Sequence, residues 1–124
     1  PLLAMQKDWL LVSLGEGSGW LRRPGDFVVE EYPALLAGKL AYATPAWSGE
    51  FCDSAGTGCR QLESDEMRTV RFVSTRLVDG TAWIEVELTT DPCRDGVELR
   101  QDQGWIRSHD AEGRPTVWFH SRGC

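Results

Sequence analysis

Asp79-Gly80-Thr81-Ala82-Trp83-Ile84-Glu85-Val86-Glu87-Leu88 is the stretch that decides the fold. Asp-Gly is a strong two-residue hairpin signal, because a type I′ turn needs positive φ at both central positions. After it the chain alternates strictly. Ile84, Val86 and Leu88 fall on one face and Trp83, Glu85 and Glu87 on the other, the period of a half-buried strand. Upstream, Arg68 to Val78 supplies the other arm of the hairpin. Its apolar positions are Met67, Val70, Phe72, Val73, Leu77 and Val78, and the slip at Phe72-Val73 predicts a bulge. Downstream, 89–103 reads as a polar loop holding Cys93, and Gly104-Trp105-Ile106-Arg107 reads as the next strand.

Leu40 to Thr44 opens this unit as a strand, ended by Pro45. Residues 45–61 read as a long loop, a length uncommon unless the loop is functional or stapled. The tail from Arg114 to Cys124, with Val117-Trp118-Phe119, reads as one more strand. Asp26 to Lys39 is the only plausible helical segment. Asp26 is a candidate N-cap, Pro33 divides the segment, and one short helix of about Pro33 to Leu36, ending at Gly38, would link two units.

The N-terminal piece echoes the central one. Residues 1–8 read as a lead-in, Trp9 to Leu14 as a strand, Gly15 to Gly19 as a turn, and Trp20 to Arg23 as a strand stopped by Pro24-Gly25. Trp9-Leu-Leu-Val-Ser-Leu14 has the inward pattern of Trp83-Ile-Glu-Val-Glu-Leu88, and Gly19-Trp20-Leu21-Arg22 has that of Gly104-Trp105-Ile106-Arg107. This suggests a repeat of the unit; chance similarity between two Trp-led strands is the alternative. The first unit would lack its front half, either because its first strands were removed or because the fragment packs against the complete unit.

Composition bounds the partners. The chain has 124 residues, a net charge of −6 and no basic block, which disfavours nucleic-acid binding. No apolar run is long enough to cross a membrane, so membrane insertion is not expected. Six Trp and 13 Gly suit a small β-rich core between tight turns. Cys52, Cys59, Cys93 and Cys124 are an even set, spaced too widely for a zinc site, and predict disulfides and an oxidising compartment. Of three connectivities, Cys52–Cys59 would close a short loop and leave Cys93–Cys124 to pin the C-terminus. The chain starts at Pro1 with no signal peptide and reads as a mature or trimmed product, secreted or periplasmic.

The order of strand, long loop, strand, Asp-Gly turn, Trp-led strand, loop and Gly-Trp-Ile strand resembles the bacterial SH3-like (SH3b) domain family. Leu40 to Pro45, Gln61 to Val73, Trp83 to Leu88 and Gly104-Trp105-Ile106 carry the resemblance, over about residues 39–108. It implies an all-β fold: a small, strongly bent barrel of about five strands at 39–124, preceded at 1–38 by a partial SH3-like repeat and the linker helix. It also implies binding of cell-wall peptide or glycan, or of another protein. The two cysteines of the first loop, the Cys93 loop and the strand after residue 110 are additions to the family pattern. The acidic-and-tyrosine signature of proline-binding relatives is absent.

Few residues suggest chemistry. His109-Asp110 could suggest general-base work, but no nucleophile context accompanies it, and a surface or turn histidine is the simpler reading. His120, alternating with Trp118, reads as a partly buried hydrogen-bonding residue. Glu85 and Glu87 read as a solvent face rather than a glycosidase pair. The Gly-x-Gly runs at Gly15 and Gly56 read as turns. No catalytic residue, metal or cofactor is expected. The better leads are Trp47 and Phe51 in the first loop and Trp118 and Phe119 in the tail, with the last two on opposite faces of their strand. Packing is the simpler role for each; where exposed, they are candidate anchors for a ligand. The expected function is a non-enzymatic extracytoplasmic binding domain. Alternatives are a targeting module of a larger cell-wall hydrolase and a small enzyme inhibitor that inserts its stapled loop.

Overall fold

A computed structural model of the chain describes residues 2–6, 9–13, 17–22, 31–63 and 68–120. Among these residues the fold is all-β with two one-turn helices. The strands are β1 (Leu2–Gln6), β2 (Trp9–Ser13), β3 (Ser18–Arg22), β4 (Ala41–Ala43), β5 (Glu50–Ser54), β6 (Thr57–Gln61), β7 (Thr69–Val78), β8 (Thr81–Thr89), β9 (Arg100–Arg107) and β10 (Val117–Phe119). The helices are α1 (Tyr32–Leu36) and α2 (Pro92–Asp95). The first three strands form one antiparallel sheet, and the other seven form a second in the order β10-β4-β7-β8-β9-β5-β6. That order is an open sheet with β10 and β6 at its edges, so strand pairing does not close it into a barrel.

The β7–β8 hairpin follows the sequence. Val78 faces Thr81 across the turn, and Asp79 and Gly80 take φ of 50° and 79°, the left-handed values a type I′ turn demands. The register slips between Phe72 and Ser74, which leaves Val73 as the bulged residue. Ile84, Val86 and Leu88 point into the main core with Leu36, Ala41, Phe51, Val70, Ile106 and Val117. Trp83, on the face it shares with Glu85 and Glu87, is also buried. It packs with Cys52 and Ala55 in a second cluster on the other side. The start of β8 is therefore covered on both faces.

Several expectations are corrected. The stretch 45–61 is no loop: Glu50–Ser54 and Thr57–Gln61 form a hairpin with Cys52 opposite Cys59, and Cys52 also lies beside Trp105 of β9. Residues 1–8 are no mere lead-in, since Leu2–Gln6 pairs with β2. The polar stretch 89–103 contains α2, capped by the Asp91 carboxylate, which accepts from Cys93 N–H, and ended by Gly96 in the left-handed region; β9 begins earlier than expected, at Arg100. Among the described residues of the tail, strand covers Val117–Phe119; residues 121–124 lie outside them.

Helix α1 does more than link. Leu36 is fully buried in the main core. The Tyr32 hydroxyl donates to the Val117 carbonyl at 2.7 Å and accepts from Val117 N–H at 3.2 Å. Burial pushes the Tyr32 phenol up to about 12, against the lowering effect of its hydrogen bonds to Val117 and Thr116. The expected N-cap, Asp26, lies outside the described residues.

Candidate functional site

Two walls meet at one end of the seven-stranded sheet. The first is the turn between β4 and β5. Thr44 builds it: its carbonyl accepts from Trp47 N–H at 3.0 Å, and its hydroxyl donates to Pro115 O at 2.7 Å and accepts from Ala46 N–H at 3.2 Å. The Trp47 indole N–H donates to Glu50 O at 2.9 Å, which fixes the ring. The wall is tied to the end of β6: Leu62 N–H, just past the strand, donates to Gly49 O at 2.8 Å, and the Gln61 amide donates to Ser48 O. Gly49 has φ of 92°, and a Cβ there would stand 2.5 Å from the Leu62 carbonyl. Only glycine fits that place.

The second wall is the chain leaving β9. His109 bridges to Pro115, and the Thr116 hydroxyl donates to Arg107 O at 2.6 Å. The Asp110 carboxylate accepts from Glu112 N–H, Arg114 N–H and Arg114 Nε. Those bonds, with the backbone one from Arg114 foremost, hold it below the usual carboxylate range.

Between the walls lies a cleft of about 250 Å³, lined chiefly by Trp47, Ser48, Glu50, Arg107, His109 and Asp110. Arg107 reaches Glu50 at 3.5 Å and lies 5.1 Å over the Trp83 ring. His109 Nδ1 meets the Ser108 hydroxyl at 2.9 Å, and its ring stands 4.7 Å from that of Tyr32. Burial pushes the His109 pKa down. The imidazole is thus held by Nδ1 on one side and an aromatic ring on the other, and its Nε2 has no protein partner among the described residues. The cleft offers an aromatic wall, a cation, two carboxylates and an imidazole nitrogen, the mixture expected of a polar ligand site.

The four aromatic candidates separate. Trp47 lines the cleft, half-buried against the main core. Phe51, at 1% exposure, takes the packing role of its two readings and is a central core residue. Trp118 and Phe119 do not line the cleft. Trp118 is exposed whereas Phe119 packs against the main core; their rings stack at 5.0 Å, and Lys39 caps Phe119 at 4.2 Å. Sequence reasoning missed Glu50, Arg107 and His109 as cleft residues. The signal for His109 was available in Asp110 and Gly113, a turn pair that folds 110–114 back on itself.

The cysteines follow the expected chemistry where they are described. Cys52 and Cys59 are bonded to each other, and among the described residues no cysteine is free. Cys124, the partner expected for Cys93, lies outside the described residues. Glu50, Cys52 and Cys59 cluster closely enough to suggest metal ligands, but both sulfurs are spent in the disulfide and offer no thiolate. Among the described residues no helix is long and apolar enough to cross a membrane. Compared with known proteins, the chain matches no family model, no curated protein and no solved structure.

Proposed function

We propose that this chain is a non-enzymatic, extracytoplasmic binding domain of SH3-like type, and that it holds cell-wall peptide or glycan, or a protein partner, in the Trp47–His109 cleft. The observation that carries the reading is the cleft itself: an aromatic wall fixed by its own hydrogen bond, facing charged groups and a half-buried histidine across about 250 Å³. Five strands in the expected chain order, β4 and β7 to β10, support the SH3-like core at 39–124. The first 38 residues are its partial copy with a linker helix. The Cys52–Cys59 bond supports a secreted or periplasmic setting.

Binding is favoured over catalysis because the hydroxyl nearest the histidine, Ser108, is 4% exposed and props the ring from behind. A targeting role within a larger cell-wall hydrolase would use the same cleft. The inhibitor reading is weaker, because the stapled hairpin lies against β9 with Cys52 and Ala55 buried instead of projecting.

Co-sedimentation with purified peptidoglycan tests the proposal. The wild type should pellet with it, and Ser48→Trp, which fills the cleft from its rim, should weaken binding about tenfold, as blocking a central contact does. Absence of pelleting at every salt concentration would remove envelope material as the ligand. Equal pelleting of both proteins would remove the cleft as the site.

A further inference from the structure

The three-stranded sheet repeats the β7–β9 meander rung for rung. In the meander, Trp83 faces Arg107, Ile84 faces Ile106, Glu85 faces Trp105 and Val86 faces Gly104. In the small sheet, Trp9 faces Arg22, Leu10 faces Leu21, Leu11 faces Trp20 and Val12 faces Gly19. The bulge recurs too. The β7–β8 register slips between Phe72, opposite Val86, and Ser74, opposite Glu85; the β1–β2 register slips between Leu2, opposite Val12, and Ala4, opposite Leu11. Bulges are built-in features of a strand pair, and one at the same rung of the same Trp-led strand ties the two sheets as copies. The difference is the turn: six residues separate Arg76 from Trp83, and two separate Gln6 from Trp9.

The complete copy shows what covers this sheet. Strand β5 lies on the outer edge of β9, with Cys52 beside Trp105. A Cβ on Gly104 would stand 2.6 Å from the Phe51 ring and 2.8 Å from the Cys52 carbonyl, so Gly104 is the floor of a slot that Phe51 fills. Glu50, the residue before Phe51, pairs with Arg107 at 3.5 Å. In β3, Gly19 holds the place of Gly104 and Arg22 that of Arg107. Yet among the described residues no strand pairs with the outer edge of β3. Trp9, Trp20 and Leu21 are 50%, 50% and 47% exposed, whereas Trp83 and Ile106 are 4% and 1%. An edge left unpaired among the described residues, beside exposed apolar side chains, is a template for strand addition.

We propose that the outer edge of β3 binds a β-hairpin presented by another polypeptide. The incoming strand runs antiparallel to β3. It carries an aromatic side chain that seats over Gly19 and, just before it, a carboxylate that pairs with Arg22. This surface is independent of the Trp47 cleft.

The probe is the oxidised synthetic peptide of residues 48–63, which carries Glu50-Phe51 in the required order. Titrated into the isotope-labelled full chain, it should shift the backbone amides of Ser18 to Arg22 and protect them from hydrogen exchange. Gly19→Val, which closes the slot, and Arg22→Glu, a surface change that keeps the fold, should each weaken the peptide at least about tenfold, as should Phe51→Ala within the peptide. Shifts that map to β9, no shifts at millimolar peptide, or equal affinity for all variants would overturn the proposal. Sedimentation of the chain alone should show a monomer. A dimer abolished by Arg22→Glu would overturn it as well, by giving the edge to a second copy.

Discussion

Gly104→Ala asks whether the hairpin at 50–61 is clamped onto the meander as tightly as its geometry implies. Neither Gly104 nor Gly19 has positive φ, so an added methyl meets no backbone strain at either place. At Gly104 it meets Phe51 at 2.6 Å and the Cys52 carbonyl at 2.8 Å. Phe51 is 1% exposed and wedged among Leu36, Val70, Ile84 and Ile106, so its ring cannot swing into open space. The carbonyl belongs to a residue held by the disulfide on one side and by β9 on the other. Overpacking of this kind costs about 1–3 kcal/mol, and the lower chain entropy of alanine in the unfolded state returns about 0.4–1 kcal/mol. The net loss of about 1–2 kcal/mol lowers the urea midpoint by roughly 0.5–1.5 M at an ordinary slope. Tryptophan fluorescence reads the transition. Gly19→Ala is the internal control: with no strand on the outer edge of β3 among the described residues, it should be neutral or stabilising by a few tenths of a kcal/mol. The reasoning is refuted if Gly104→Ala is as stable as the wild type, or if the two glycines respond alike.

Further predictions concern the staple and two titrating groups. Replacing Cys52 and Cys59 together by Ser opens a loop whose ends are 7 residues apart, and should cost about 2–3 kcal/mol on the chain-entropy estimate, measured by urea unfolding. Arg71 grips Glu98 through two hydrogen bonds of 2.5 and 2.6 Å, and that contact holds the Glu98 carboxyl below its ordinary value. Its contribution is therefore present above the unfolded carboxylate pKa and is lost as pH falls through the lowered folded value. Glu98→Gln should destabilise at pH 7 and flatten the acid limb of the stability curve. His109 moves stability in the same direction for a different cause: burial favours its neutral form, so its share of stability is present above the unfolded imidazole pKa and is lost as pH falls below it. His109→Gln should remove the component of acid destabilisation near pH 6, followed as thermal midpoint against pH.

Residues with strict alternation and explicit turn chemistry were legible. Asp79-Gly80, the Val73 bulge, the Trp83 and Trp105 strands and the short helix before Gly38 all declared themselves through local pattern. The hairpin at 50–61 did not, because its strand β6 is exposed along its whole length and lacks an apolar face; what holds it is a disulfide and a pairing with β9, both invisible to periodicity. Strand β1 was hidden by its own bulge, which makes Leu2, Leu3, Ala4 and Met5 read as an unpatterned apolar run. Phe51 stayed undecided between packing and binding for the same reason as its hairpin: inside a supposed loop, nothing in the pattern says whether an aromatic is covered. The cleft was illegible because Thr44 and Thr116, far apart in sequence, set its two walls. His109 became a cleft residue only when Asp110 and Arg114 turned the chain beneath it.

Amide and indole shift mapping with soluble peptidoglycan fragments tests the proposal that ligand is held between Trp47 and His109. Saturable shifts are expected at the Trp47 indole N–H, Ser48, Arg107 and His109, with the β10 resonances of Trp118 and Phe119 unmoved. Shifts centred on Trp118 and Phe119 with the cleft silent would contradict it.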